Sequence, residues 1–141
     1  MAHETSSDHT ERAAVEMRLP AEGAYAAVLR TTAAALAARV DFTIEAIEDL
    51  RISIGEAIAL VLTEADPGVD LECRFHLAAG EIRVELSAEA VDNPEVDRDS
   101  FAWQVLDTMA AQVRATGAEG RFTVSFAVHS QIAAPATGAG L

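Results

Sequence analysis

The sequence predicts an α+β domain. One four-stranded sheet, mixed or antiparallel, carries three helices on one face as a two-layer sandwich, in the order β-α-α-β-β-α-β. Two observations predict it. Apolar and polar residues alternate with strand period in four separate segments, and three other segments show helical spacing with recognisable caps and breakers. The length of 141 residues fits a single domain with one core.

The elements follow in order. Residues 1–12 are polar with no apolar periodicity and read as a disordered arm. Val15, Met17 and Leu19 alternate with Glu16 and Arg18 as a first strand, which Pro20 ends. From about Glu22 to Ala38 an alanine-rich helix shows Ala24, Val28, Leu29, Leu36 and Val40 near helical spacing. Thr43 reads as the N-cap of the next helix, with Glu45, Glu48 and Asp49 in its first turns, where they favour the helix dipole. That helix runs to about Glu64. Ile44, Ile47, Ile54, Ile58, Val61 and Leu62 form its expected buried side, and Asp66-Pro67-Gly68 breaks it. Val69 to Leu77 and Ile82 to Leu86 alternate as a hairpin turning at Ala79-Gly80. After an acidic loop, Asp99 or Ser100 caps a third helix from about Phe101 to Ala115, with Val105, Leu106, Met109 and Val113 inward. Gly117 and Gly120 mark a turn before the last strand, Phe122 to Val128. Residues 132–141 are a low-complexity Ala/Gly/Pro/Thr tail, so the domain is expected over 13–131.

Composition excludes several functions. Ten basic residues, all arginine, stand against 23 acidic ones, a net charge of −13. Such a chain repels the phosphate backbone and anionic lipid, so neither nucleic acid nor membrane is an expected partner. A chain without lysine has no P-loop, no kinase-type ATP lysine and no Schiff base. The single cysteine, Cys73, excludes an internal disulfide framework, and its place in strand alternation reads as a buried structural thiol. His3, His9, His76 and His129 lie far apart without ligand spacing, so no metal site is expected. The polar N-terminus has no secretion-signal pattern and no apolar run reaches spanning length, which points to a cytoplasmic protein. The acidic balance suits a partner with a basic surface.

Two segments carry a resemblance. The first is IEDLRISIGEAIALVLTEA, Ile47 to Ala65; the second is SFAWQVLDTMAAQV, Ser100 to Val113. With the element order, they resemble the GHKL (Bergerat-fold) ATPase domain. They are similar to the small anti-sigma factors of the RsbW and SpoIIAB type, and within it to an actinobacterial, UsfX-like anti-sigma-F subgroup. The resemblance covers about Val15 to Val128. It implies a Bergerat-like sheet and helix layer, a homodimer, an alternative sigma factor as target, and an anti-anti-sigma (STAS-domain) protein that releases it.

The resemblance also implies a nucleotide site whose parts can be compared one at a time. The family pairs a catalytic glutamate with a Mg²⁺-binding asparagine four residues on, both on one helix face. Here the glutamate is Glu56 and the asparagine position is Leu60, which has no oxygen for a hard cation. The family's D-x-G-x-G box falls on Leu86 to Pro94, which has no glycine, with the aspartate position near Ala88. No glycine occurs between Gly80 and Gly117, where a phosphate-cradling lid would need one. The acidic PEVDRD stands there instead and would repel a triphosphate by roughly 1 kcal/mol per close charge pair. The ATP site therefore reads as degenerate, Glu56 as a vestige or a plain surface carboxylate beside Asp49 and Ser53, and the chain as a non-enzyme without a cofactor.

Partner-binding candidates come from the same comparison. Its first-helix arginine falls on Arg30, and its glutamate one turn earlier falls on Ala26. Trp103 reads either as a partner anchor or as a structural residue against the sheet. The expected function is an anti-sigma factor that sequesters a stress- or sporulation-type sigma factor without ATP-dependent catalysis. The alternatives are a serine kinase of its STAS partner with Glu56 as base, or an adaptor that binds a STAS protein alone.

Overall fold

The computed structural model describes residues 13–131. The arm expected over 1–12 and the tail expected over 132–141 lie outside the described residues. Strand β1, Val15–Pro20, is followed by a short 3-10 turn at Gly23–Tyr25 and then helix α1, Ala26–Arg39. Helix α2 spans Ile44–Glu64, strand β2 Asp70–Ala78, strand β3 Glu81–Glu89, helix α3 Phe101–Met109, strand β4 Ala111–Ala118 and strand β5 Arg121–His129. The five strands form one antiparallel sheet in the order β1-β2-β3-β5-β4. The three helices cover one face, with α2 in the middle over β3 and β5, flanked by α1 and α3.

The sheet has a strand more than the sequence predicts, and the third helix is shorter. Phe101 to Met109 are helical, but Ala110 already has extended backbone (φ −124°, ψ 171°), and Ala111–Ala118 pairs with β5. Val113 therefore packs inward from a strand, not from a helix. The turn expected at Gly117 and Gly120 sits at Glu119-Gly120 alone, both with positive φ, and Gly117 lies within β4. The alternation Val113/Arg114/Ala115/Thr116 was available as a strand signal, but it is weak in alanine and continuous with the helical spacing of Val105, Leu106 and Met109.

The caps and breakers act as the sequence indicates. Thr43 Oγ1 accepts from the Ala46 amide at 3.1 Å, and Ser100 Oγ accepts from the Trp103 amide at 3.2 Å. Ser130 Oγ accepts from the Thr43 amide at 2.9 Å, which ties the start of α2 to the end of β5. Helix α2 stops at Ala65, whose backbone is extended, just before Asp66-Pro67-Gly68.

The core lies between α2 and the sheet. Ala46, Leu50, Ile54, Ala57, Ile58 and Val61 of α2 meet Phe75, Val84, Leu86, Phe122, Val124 and Phe126. Helix α1 is buried along Leu29, Ala33 and Ala37, an i, i+4 repeat whose small side chains allow close approach to α2. Some expected core positions point elsewhere. Val28 is exposed, and Ile44 is 81% exposed at the first turn of α2. Ser53, read as part of a solvated polar face, is fully buried, because it lies three residues after Leu50 and four before Ala57 on the core stripe. Among the described residues, no helix is long and apolar enough to cross a membrane, and no three His, Cys, Asp or Glu side chains gather as a metal site.

The outward face of the sheet is a charge lattice. One row crosses all five strands: Glu16, Arg74, Glu85, Ser125 and Arg114. Arg74 bridges Glu16 and Glu85 at 3.5 and 3.7 Å, while Glu72 meets Arg18 at 3.2 Å and Arg121 at 3.5 Å. Arginine and glutamate thus nearly balance there, and the acidic excess falls on the helical side.

Candidate functional site

The residues singled out by sequence gather around α2. Glu56 is half-buried at its midpoint, next to Gly55. Arg30 reaches Gly55 from α1, its Nη1 3.7 Å from where a Cβ would stand. At that distance a Cβ would be in ordinary van der Waals contact with the guanidinium. Ala26, one turn before Arg30 at the start of α1, is half-buried against the core. Among the described residues, neither Arg30 nor Glu56 has an oppositely charged side chain within 4 Å.

Leu60 shares the Glu56 side of α2 but is only 7% exposed and belongs to the core. Ala88 is fully buried in β3. Trp103 on α3 is 6% exposed, and the Arg98 guanidinium covers its ring with 4.8 Å to the centroid. Any surface that met Trp103 would first have to displace Arg98.

The loop ahead of α3 is fixed at several points. The Val91 amide donates to Asp66 Oδ2 at 3.1 Å, and the Gly120 amide donates to Asn93 Oδ1 at 2.8 Å. Asp97 Oδ1 accepts from the Asp99 amide at 2.9 Å. Pro94 rests its backbone on Gly117 of β4. Cys73 faces inward from β2, and burial pushes its thiol up to about 12, which keeps it protonated and unreactive at neutral pH.

Sequence reasoning missed one feature of this region. Ile44 and Ile52 are exposed on the outer side of α2, and Gly55 and Ala59 continue the same line. The signal was present: residues 44 and 52 are out of phase with the core stripe at 46, 50, 54, 57 and 61.

No protein-family model matches the chain. Individual proteins do. Over 101 residues, 72% of this chain, the sequence is 32% identical to the anti-sigma-F factor RsbW of Mycobacterium tuberculosis. Over that stretch the chain is similar to RsbW. The match spans 60% of the tuberculosis protein's length. The serine-protein kinase RsbW of Halalkalibacterium halodurans is 30% identical over 88 residues, 62% of this chain and 52% of that protein. The Bacillus thuringiensis serine-protein kinase RsbW is 39% identical over 51 residues, 36% of this chain and 32% of that protein. The fold agrees with the crystal structure of the RsbU and RsbW domains of Rv1364c from Mycobacterium tuberculosis. That likeness has a TM-score of 0.64 at 16% identity and covers 85% of this chain and 34% of the other.

These relatives correct one expectation. The sequence reading makes the chain a non-enzyme, yet RsbW homologues carry the name serine-protein kinase. The departures expected at three motifs are therefore no ground for calling this chain a non-enzyme.

Proposed function

We propose that this chain is an anti-sigma factor of the RsbW kind, working through residues 13–131. It would hold an alternative sigma factor away from RNA polymerase in the cytoplasm, and a STAS-domain anti-anti-sigma protein would release it. The observation that carries the reading is the match to the tuberculosis anti-sigma-F factor across most of the described domain. That match also supports the actinobacterial anti-sigma-F subgroup. Arg30, half-buried beside Gly55 with Ala26 a turn earlier, is the proposed contact for the sigma subunit, and a second copy of the chain completes a dimer. Co-purification of the tagged full chain from its host, with the captured proteins identified by mass, tests this. A sigma subunit should be captured; its absence from every preparation would sink the proposal.

The names of the Halalkalibacterium and Bacillus relatives favour a second activity, phosphorylation of a serine on the STAS partner, with half-buried Glu56 as the general base. Leu60 does not fit the family's Mg²⁺ ligand, since it is buried and has no oxygen. Incubation with labelled ATP and the STAS protein decides the matter. Label transfer that Glu56→Gln abolishes supports the reading, and a lack of transfer by the wild type removes it.

A further inference from the structure

We propose that the outward stripe of α2, from Ile44 through Glu48 and Ile52 to Gly55, docks a basic helical segment of the sigma partner that carries aliphatic side chains between its cations. The inference rests on the anti-sigma reading and extends the contact surface beyond Arg30.

The geometry comes from helix spacing. Residues 44, 48, 52, 55 and 59 fall within an arc of roughly 80° at 3.6 residues per turn, along about 22 Å of helix. Ile44 is 81% exposed and Ile52 42%, while Glu48 and Ala59 are exposed between and beyond them. A single exposed isoleucine needs no explanation. Two of them, two turns apart on one line with the exposed Glu48 between them and Gly55 and the Arg30 guanidinium at its end, form an apolar line interrupted by one carboxylate.

Charge identifies the occupant. On the sheet's outer face the carboxylates are neutralised within the fold, as in Arg74 between Glu16 and Glu85. Along the α2 stripe they are not. Glu48 meets only Arg51, at 3.8 Å and largely in solvent, and among the described residues Asp41, Glu45 and Glu56 have no cation within 4 Å. An apolar track bordered by uncompensated carboxylates matches a helix with the opposite pattern, whose aliphatic side chains cover the isoleucines while its arginines or lysines meet the acids. Arg30 at one end sets polarity, because it calls for a carboxylate at the corresponding end of the partner helix.

The test uses the full chain and the sigma subunit that co-purifies with it. Ile44→Gln with Ile52→Gln removes the track without changing charge or helix propensity much, and Glu85→Arg on the sheet is the control. Thermal melts check that each variant is folded. Calorimetric titration should show the double variant weakened about tenfold or more, with the control unchanged. Glu48→Arg should lower affinity and flatten its dependence on salt. If wild type binds sigma and the double variant binds equally well, the docking proposal is overturned and the anti-sigma reading stands. If wild type binds only a STAS protein, or nothing, both fall.

Discussion

Gly117 and Pro94 meet backbone to backbone: the carbonyl oxygen of Pro94 fills the space a side chain at residue 117 would need, and Asn93 C and Pro94 N lie 2.8 and 2.9 Å from that point. The contact fixes the loop ahead of α3 onto β4. The loop cannot yield freely, since Asn93 Oδ1 also holds the Gly120 amide at 2.8 Å. Gly117→Ala is expected to destabilise the fold by about 2–3 kcal/mol. A lower urea midpoint at unchanged slope would show it.

Gly55 predicts the opposite sign. It lies inside α2 with ordinary helical backbone, and an added Cβ would meet only Arg30 Nη1, at 3.7 Å. Gly55→Ala should therefore stabilise the chain by about 0.5–1 kcal/mol through helix propensity. Loss of stability in the same urea experiment would mean that the guanidinium needs the bare backbone.

The hairpin between β4 and β5 turns through Glu119 (φ 54°) and Gly120 (φ 77°), both left-handed. Two positive φ values in a two-residue loop favour asparagine then glycine, and glutamate is a poor first residue. Glu119→Asn is expected to add about 0.5–1 kcal/mol, seen as a rise of a few degrees in Tm.

Cys73 gives a prediction in pH. Its folded pKa of about 12 exceeds the ordinary 9.0, so the native state keeps a proton that the unfolded chain loses. Its contribution to stability is complete below pH 9 and declines as pH rises from about 9 towards 12, by at most about 1.4 kcal/mol per pH unit. Native protein at pH 8 should resist a thiol reagent such as Ellman's that labels it at once in denaturant. A Cys73→Ala variant should lose this part of the alkaline decline.

These residues also show how much of the fold was legible beforehand. Thr43, Ser100, Asp66-Pro67-Gly68 and the Ala79-Gly80 hairpin announce themselves because caps and turns are local chemistry. The strand Ala111–Ala118 did not, because its inward residues are Val113, Ala115 and Gly117, and Gly117 is small for a reason 23 positions away at Pro94. Helix phase was legible only where side chains are bulky. Alanine in α1 conceals that Ala33 and Ala37, not Val28, face α2. The family resemblance singled out Glu56 and Arg30 as candidates, but that Arg30 rests on Gly55 and that Ile44 and Ile52 lie outward depends on tertiary packing.

Ser53 supplies the last prediction. Its Oγ is fully buried in α2 and has no hydrogen-bond partner among the described residues. An unpaired buried hydroxyl costs about 1–3 kcal/mol relative to a satisfied one, and alanine is the better helix former. Ser53→Ala should therefore stabilise the fold by about 1 kcal/mol, because it removes one polar atom and leaves little void. A destabilised variant would carry different information: the hydroxyl must then have a partner in solution, such as an enclosed water, between α2 and its neighbours. Urea unfolding of Ser53→Ala beside Ser53→Val separates the two cases. Loss in the alanine variant that the valine variant does not restore points to the missing hydrogen bond, whereas recovery by valine points to packing alone.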